Sequence, residues 1–226
     1  MLISIIIPVL NEEPVLVESL LRLQALRQRG CEIIVVDGGS RDHSAEVARV
    51  FAGGIVQAPQ GRAKQMNMGA RAAKGEILWF LHADSQPPAG ADGLIRQALA
   101  EPGILWGRFD VRLSGNHPLL RLVEMLMNIR SRLTAIATGD QGIFVRRVSF
   151  EQVGGYPDIP LMEDIALSRV LKRASRPACL RQRIMASSRR WERNGVLRTI
   201  LLMWSLRLAY FLGASPARLA RLYYGS

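Results

Sequence analysis

Short apolar runs alternate with amphipathic segments along the first half of the chain. Continuous apolar character, typical of buried strands, is found at residues 2–9, 31–37, 53–59 and 76–84. Helical spacing of apolar residues is found between these runs, at residues 12–30, 42–51 and 62–73. Asn11 is positioned to cap the first of these helices. The alternation predicts βα units, and therefore an α/β fold with a mostly parallel central sheet flanked by helices.

The second half of the chain is less regular. Strands are predicted at residues 104–113, with one solvated face, and at residues 142–147 and 177–187. Helices are predicted at residues 117–137 and 162–174, and from about Asn194 to the C-terminus. The apolar stripe of the 117–137 helix is expected to face the core, with a dimer interface as the alternative. Because no internal repeat or Gly- and Pro-rich linker interrupts the chain, residues 1–226 are expected to form a single domain.

The positive charge is concentrated in one half of the sequence. The formal net charge is +11, yet residues 1–113 carry 12 basic and 12 acidic side chains, and residues 114–226 carry 18 basic and 7 acidic ones. Such one-sided charge indicates an anionic partner, either a phosphorylated substrate, acidic lipid headgroups or nucleic acid. An Arg-rich composition is the alternative explanation, because only 3 of the 30 basic residues are Lys. The aromatic content of 6% and the lack of a recognised motif argue against nucleic acid.

The C-terminal segment is basic and amphipathic. Its most apolar stretch, residues 196–214, contains Arg198 and Arg207, and an arginine near the bilayer centre costs about 2.5–3.5 kcal/mol. A helix at a membrane surface, or one packed on the domain, is therefore favoured over a membrane span. The N-terminus lacks signal-peptide features and the two cysteines are isolated. A cytoplasmic protein, peripheral to the inner face of the cytoplasmic membrane, is expected.

Candidate site residues, three of them carboxylates, lie at the ends of three of the first four predicted strands. They are Glu12, Asp37, Gly39, His82, Ala83 and Asp84. Because parallel sheets bind ligands beyond the carboxyl ends of their strands, these residues are expected to share one site. Asp37 is suited to a base or ribose, and Asp84 is a suitable oxygen ligand for Mg²⁺ or Mn²⁺. Glu13 and Asp42 are better explained as helix caps.

Further groups suited to a phosphorylated substrate lie elsewhere in the chain. Arg62 and Gln65 begin the third predicted helix, where cationic and amide donors suit a diphosphate. Glu163 and Asp164 begin another helix, and a carboxylate there is a candidate general base. Arg189 and Arg190 are expected to supply positive charge to a leaving phosphate, and Trp191 a ring for stacking. Polar groups near an acceptor are expected at Gly139, Asp140 and Gln141, beside Trp191. The glycine motifs of nicotinamide dehydrogenases and P-loop enzymes are absent.

Five ordered motifs resemble those of the family-two inverting glycosyltransferases, which have the GT-A fold. They are IIIPVLNEE (5–13), VVDGGSRD (35–42), GRAKQMNMG (61–69), LHAD (81–84) and ED (163–164), and the resemblance spans residues 3–191. It implies a hexosyltransferase-type enzyme. Its parts would be a nucleotide-sugar-binding half (1–113), an acceptor and catalytic half (114–192) and basic C-terminal helices (193–226). The His-Ala-Asp and Arg-Arg-Trp variants are similar to those of a small bacterial subgroup of unassigned function.

The resemblance also implies roles for individual residues. Pro8, Glu12 and Asp37 would line the base and ribose of a nucleoside diphosphate sugar, with UDP as the expected nucleotide. Arg62 and Gln65 would lie near its diphosphate. Asp84 would hold Mn²⁺ or Mg²⁺ mainly with diphosphate oxygens, because His82 replaces the first acid of the family's metal motif. Gly39, His82, Ala83, Arg189 and Arg190 are expected to complete the donor site.

The implied reaction is a single in-line displacement. Asp164, with Glu163 beside it, would take a proton from the acceptor hydroxyl, which attacks the anomeric carbon with inversion. A divalent metal ion and Arg189 or Arg190 would stabilise the leaving group. The acceptor is unidentified, with a lipid-linked molecule and an anionic membrane surface as expected partners, and the oligomeric state is open.

Three alternatives remain open from the sequence. An enzyme that makes nucleotide sugars is disfavoured, because its glycine-rich N-terminal loop is missing. A nucleotide-cofactor methyltransferase is suggested by VVDGGS (35–40), although a full strand and helix precede that loop. The third alternative is a basic protein that binds membrane surfaces and retains a vestigial nucleotide site.

Overall fold

The strands and helices follow one another in an α/β arrangement. The computed structural model describes residues 1–52 and 54–225; Gly53, Ser226 and the Arg190 side chain, for which a donor-site role is predicted, lie outside the described residues. The strands are β1 (Ile3–Val9), β2 (Glu32–Asp37), β3 (Gly54–Gln57), β4 (Ile77–Phe80), β5 (Trp106–Leu113), β6 (Phe144–Arg146) and β7 (Ala178–Ala186). The helices are α1 (Glu13–Gln28), α2 (Ser44–Phe51), α3 (Arg62–Ala72), α4 (Ala91–Ala100), α5 (Pro118–Thr134), α6 (Arg147–Gln152), α7 (Glu163–Ala174), α8 (Arg189–Asn194), α9 (Val196–Phe211) and α10 (Pro216–Tyr224).

All seven strands form one sheet in the order β3-β2-β1-β4-β6-β5-β7. The pairs β1–β2, β1–β4, β2–β3 and β5–β7 are parallel, and β6 runs antiparallel to both of its neighbours, β4 and β5. The predicted α/β fold with a mostly parallel sheet is therefore confirmed. Because β1 lies near the centre, its carboxyl end opens onto the middle of the sheet edge, where the site is built.

Helices bury both faces of the central strands. Ile3, Ile5 and Ile7 of β1 lie in the cluster that packs against α1 and α4, whereas Ile6 lies in the opposite cluster, with α3. The approach of α3 requires a glycine, because a Cβ on Gly69 would lie 2.5 Å from Cγ2 of Ile6. Continuous burial on both faces explains why these strands are uninterrupted apolar runs.

Several local predictions are wrong. Asn11 does not cap α1: its φ is 54°, Glu12 occupies the N-cap position, and the Asn11 side chain accepts a hydrogen bond from the Arg41 amide at 2.8 Å instead. The predicted solvated face of the strand over 104–113 is wrong, because α5 packs on β5 and Arg112 is the only exposed residue of this strand. Helices α4, α6 and α8 are not predicted, and the C-terminal helix is broken before α10.

The orientation of α5 is opposite to the expectation. Its buried residues are Leu120, Val123, Glu124, Asn128 and Ser131. Its apolar stripe faces outwards, with Leu122, Met125, Leu126, Ile129 and Leu133 all exposed. The reason lies in β5, whose irregular backbone forms hydrogen bonds with the polar face of α5: the Val111 amide donates to Oδ1 of Asn128 at 2.9 Å, and Nδ2 of Asn128 donates to the Val111 carbonyl at 3.0 Å.

Candidate active site

A cleft of about 450 Å³ opens at the carboxyl ends of β1 and β4. Loops after the strands form one wall, and the beginning of α7 with parts of α9 and α10 forms the other. Twelve predicted site residues line it, namely Pro8, Glu12, Arg62, Gln65, His82, Ala83, Asp84, Gly139, Asp140, Glu163, Asp164 and Trp191. Residues far apart in the sequence, from both predicted halves of the chain, therefore converge on one cavity.

The loops after β1 and β2 are locked together by reciprocal caps. The Asp42 carboxylate accepts hydrogen bonds from the amides of Glu13 (3.1 Å) and Ser44 (3.0 Å), and the Glu13 carboxylate accepts one from the His43 amide (3.1 Å). Both acids thus satisfy free amides at the N-termini of α1 and α2, as expected. The result is a rigid floor beneath Glu12.

Gln65 connects the ends of the two central strands. It is 3% exposed, and its Nε2 donates to the carbonyls of Val9 at 2.8 Å and Val36 at 2.9 Å. A Cβ on Gly38 would lie 2.9 Å from Cδ of Gln65, so glycine is needed for this close approach. Gln65 therefore holds the strand ends in position as well as lining the cleft.

Asp84 lies at the centre of the strand-end loops, close to a second carboxylate and a guanidinium group. Nη2 of Arg189 is 3.6 Å from its Oδ2. Burial and then the negative charge of Asp84 raise the pKa of Glu12. Among the residues that the structure describes, no three His, Cys, Asp or Glu side chains form a metal cluster. The donor set fits a hard cation that takes one or two protein oxygens and completes its shell from a substrate.

His82 interacts with the segment that precedes β6. Its Nδ1 is 3.3 Å from Oδ1 of Asp140. Desolvation opposes ionisation of Asp140, but the interaction with His82 lowers the pKa of Asp140 overall. The ring packs closely on the backbone, because a Cβ on Gly139 would lie 2.4 Å from Nε2 of His82. His82 thus connects the loop after β4 with the loop that contains Asp140.

Glu163 and Asp164 begin α7 after Met162, whose φ is 70°. Asp164 is partly exposed to the cleft, and its two oxygens accept hydrogen bonds from the amides of Gly139 (2.9 Å) and Ile165 (2.7 Å). Glu163 is buried, and burial followed by the charge of Asp164 raises the pKa of Glu163. The pair therefore contains one accessible carboxylate and one that is driven towards its neutral form.

Arg62 carries a positive charge that interacts with Glu163 of this acidic pair. Desolvation acts to lower its pKa, but Glu163 and then the tyrosines of α10 act in the opposite direction, and the pKa of Arg62 is raised overall. Arg62 begins α3, where the free amides of the first turn also favour an anion. This part of the cleft is suited to a phosphate group.

Four predicted residues do not line the cleft. Asp37 is buried and its carboxylate accepts hydrogen bonds from the amide and the hydroxyl of Ser40, in the same turn as Gly39. Gln141 is fully buried, and its side-chain oxygen accepts a hydrogen bond from the Thr138 amide at 3.2 Å. Arg189 lines a smaller cavity of about 120 Å³ that shares Asp84 with the cleft.

The sequence analysis misses the contribution of the C-terminal helices. Thr199, Met203, Leu206 and Arg207 of α9 line the cleft, together with Tyr223 and Tyr224 of α10. The spacing of the four α9 residues, at intervals of three and four, is the signal of a common helix face. The helices are held there by Leu206 and Leu219, which pack against Leu161 and Ile165 at the beginning of α7.

Known proteins resemble the chain in both sequence and structure. The family model described as "Glycosyl transferase family 2" matches residues 4–152, about two thirds of the chain. The chain belongs to glycosyl transferase family 2. This membership confirms the predicted family and enzyme class, and it favours them over the methyltransferase alternative.

Two curated relatives carry the same protein name. The undecaprenyl-phosphate 4-deoxy-4-formamido-L-arabinose transferase of Pseudomonas savastanoi is 39% identical over 163 residues, and that of Pseudomonas fluorescens is 35% identical over 162 residues. Each match covers 64% of this chain and 46% of the relative. The chain therefore spans about half the length of these relatives.

Solved structures share the fold. The mannosyltransferase PcManGT of Pyrobaculum calidifontis, in complex with GDP-mannose and Mn²⁺, superposes with a TM-score of 0.59 at 22% identity, covering 81% of this chain and 56% of that one. S. aureus TarS 1–349, in complex with UDP-GlcNAc, superposes with a TM-score of 0.66 at 18% identity, covering 83% and 58%. At these identities the likeness concerns the fold, which is GT-A, as the sequence motifs imply.

Proposed function

We propose that this chain transfers a sugar from a nucleoside diphosphate sugar, with UDP as the expected nucleotide, to a lipid-linked acceptor with inversion at the anomeric carbon. The observation that carries the proposal is the convergence of Glu12, Arg62, Asp84 and Asp164 on one cleft at the strand ends. The relatives are named as undecaprenyl-phosphate transferases, which supports a lipid-linked acceptor. The bound UDP-GlcNAc and GDP-mannose of the structural neighbours support the donor class.

Asp164 is the proposed general base. Two backbone amides orient its carboxylate, and each oxygen keeps a lone pair for an incoming hydroxyl. Asp164 removes the hydroxyl proton while the acceptor oxygen forms a bond to the anomeric carbon and the diphosphate leaves with the electron pair of the broken bond. Because no side chain attacks the sugar, the proposed single displacement inverts the configuration.

The donor is proposed to lie along the strand-end loops. Pro8 and Glu12 lie where the base and ribose would bind, and Asp37, held by Ser40, supports this part of the site from below. Asp84 would hold a divalent metal ion, Mn²⁺ or Mg²⁺, which would neutralise charge on the leaving diphosphate. Arg62 in the lining of the cleft and Arg189 beside Asp84 supply further positive charge.

A membrane surface is the proposed location of the reaction. The outer apolar stripe of α9 consists of Leu197, Leu201, Trp204, Leu208 and Phe211, all between 59% and 74% exposed. None of the helices in the described part of the chain is long and apolar enough to cross a bilayer. An exposed apolar stripe on a basic helix is typical of helices that lie in the headgroup region of anionic membranes.

Nucleotide binding tests the donor half of the proposal. Thermal unfolding is measured with UDP, GDP, ADP and S-adenosylmethionine, each with and without Mn²⁺. A ligand at about 100 times its dissociation constant adds about 2.7 kcal/mol to the unfolding free energy, so a metal-dependent rise in Tm with UDP or GDP is the expected result. A shift with S-adenosylmethionine alone would support a methyltransferase, and no shift with any ligand would contradict the proposal.

The Asp164→Asn variant tests the assigned base. Sugar transfer from a radiolabelled UDP-sugar is expected to fall about 10²–10⁴-fold, because general base catalysis contributes that much, while the UDP-induced rise in Tm stays unchanged. Asp158→Asn is the matched control, since Asp158 is an exposed acid whose only ion pair is a 3.8 Å contact with Lys64 among the described residues. Near-full activity of Asp164→Asn would exclude this residue as the base.

A further inference from the structure

Two arginines beside the cleft have buried hydrogen-bond donors without partners. In Arg130 of α5 these atoms are Nε and Nη2, and in Arg207 of α9 the atom is Nε. No carboxylate of the described residues lies within the 4.0 Å limit for an ion pair with either guanidinium group. A buried cationic donor without a partner is unfavourable, because its hydration is lost and nothing replaces it.

Arg108 and Arg121 of the same region also have a buried Nε without a partner, but each has a carboxylate beside its guanidinium group. Arg108 is fully buried and forms an ion pair with Asp110, which also binds Nη2 of Arg132 at 2.6 Å. Arg121 lies 2.9 Å from Glu124. The lack of a carboxylate partner at Arg130 and Arg207 is therefore a local property of this pair and not of the basic composition.

The two uncompensated cations belong to helices that pack against each other, Arg130 to α5 and Arg207 to α9. Burial, and then repulsion by Arg207, lowers the pKa of Arg130 to about 10, against the attraction of Asp164. Arg207 lines the cleft, as Asp164 does. Two neighbouring guanidinium groups with free donors, one of them facing a cavity, are arranged for a dianionic ligand, because arginine donors match the geometry of phosphate oxygens.

We infer that Arg130 and Arg207 form a subsite for a phosphate group of the acceptor. This inference rests on the proposed function and identifies the substrate class on which it acts. The position favours the acceptor over the donor, because Arg207 of α9 lies in the same wall of the cleft as Asp164 of α7, whereas Asp84 in the wall formed by the strand-end loops has its own cation, Arg189, at 3.6 Å. The acceptor is a phosphate ester that also carries the attacking hydroxyl, and it is either lipid-linked or soluble.

Binding of phosphate probes tests the subsite directly. Affinities of the full chain are measured by calorimetry for inorganic phosphate, glycerol 3-phosphate, geranyl phosphate, geraniol and UDP. Arg207→Gln is expected to weaken the phosphate probes about 10–100-fold, as loss of a charged hydrogen-bond partner does, and to leave UDP binding unchanged. Arg198→Gln is the matched control, because Arg198 is an exposed arginine of the same helix. Stronger binding of geranyl phosphate than of glycerol 3-phosphate identifies the lipid source, and the reverse identifies the soluble one.

The Arg130→Met variant separates a binding role from a structural one. Because it removes an uncompensated buried charge, it is expected to raise the Tm of the free protein while weakening phosphate binding. An arginine that serves only the fold would instead lower the Tm on replacement. Equal phosphate affinity in wild type and Arg207→Gln would overturn the inference, as would an equal loss of UDP affinity. If the wild type binds UDP but none of the phosphate probes, the inference is overturned while the proposed function stands. Failure of the wild type to bind UDP would instead contradict the proposed function.

Discussion

The outer apolar stripe of α9 makes a quantitative prediction about membrane binding. Leu201 and Trp204 are 69% and 59% exposed, and full burial of such a side chain contributes about 1.5–3 kcal/mol. Scaled by the exposed fractions, each side chain would contribute about 1–2 kcal/mol on entering the headgroup region. Replacement of both by Ser is therefore expected to weaken the partition coefficient by about 30- to 700-fold, since each 1.4 kcal/mol is tenfold.

Vesicle co-sedimentation measures this effect. The protein is mixed with phosphatidylcholine vesicles that contain or lack phosphatidylglycerol, at low and high salt, because the arginine contribution is screened and the apolar one is not. The matched control replaces Leu21 of α1 and Val50 of α2 by Ser, since these apolar side chains are 52% and 71% exposed. Both double variants are expected to retain the unfolding free energy within about 0.5 kcal/mol, as exposed substitutions usually do.

Two results would refute this reasoning. Equal loss of binding in the α9 variant and in the Leu21 and Val50 control would show that the stripe has no special role. Absence of wild-type binding to anionic vesicles at low salt would show that the membrane is not the partner of this surface. In either case the exposed apolar side chains of α9 would have a binding partner other than the membrane.

Three other substitutions probe the fold and the site. Asp110→Asn is expected to lower the unfolding free energy by about 3–5 kcal/mol, because it leaves the buried charge of Arg108 uncompensated, and chemical denaturation measures the loss. Glu163→Gln is expected to raise the Tm increasingly as the pH rises above 4.5, because the raised pKa of Glu163 means that its ionisation destabilises the folded state; an unchanged pH profile would contradict this. Gln65→Met is expected to cost about 1–3 kcal/mol, because two hydrogen bonds to strand carbonyls are lost, and a Tm equal to wild type would contradict the structural role of Gln65.

The first half of the fold could be predicted from sequence because its signals are local. Strands β1 and β2 are buried on both faces, so they appear as continuous apolar runs, and polar turns mark their ends. Asp42 and Glu13 stand at helix starts, where their capping role follows from position alone. Only Asn11 departs from the rule, because its side chain is engaged by the neighbouring loop.

The second half could not be predicted as well because its packing depends on tertiary contacts. An apolar stripe shows that a helix has an apolar face, but it does not show whether that face is buried against protein or exposed at the surface of the molecule. In α5 the polar side chains of Glu124 and Asn128 are directed inwards by the unpaired backbone groups of β5, and the apolar stripe is left outside. The same limit applies to the cleft, where Met203 and Arg207 arrive from a helix that is remote in sequence.

The two faces of α9 explain why charge and exposed apolar surface occur in the same half of the chain. Met203 and Arg207 line the cleft from one face, and Leu201, Trp204 and Leu208 are exposed on the other. A lipid-linked acceptor therefore need not leave the headgroup region to reach the base: its phosphate would meet Arg207 while its hydrocarbon chain stays beside the stripe. A soluble acceptor would need the arginines but not the stripe, so loss of membrane binding without loss of turnover on soluble phosphate esters would separate the two roles of this helix.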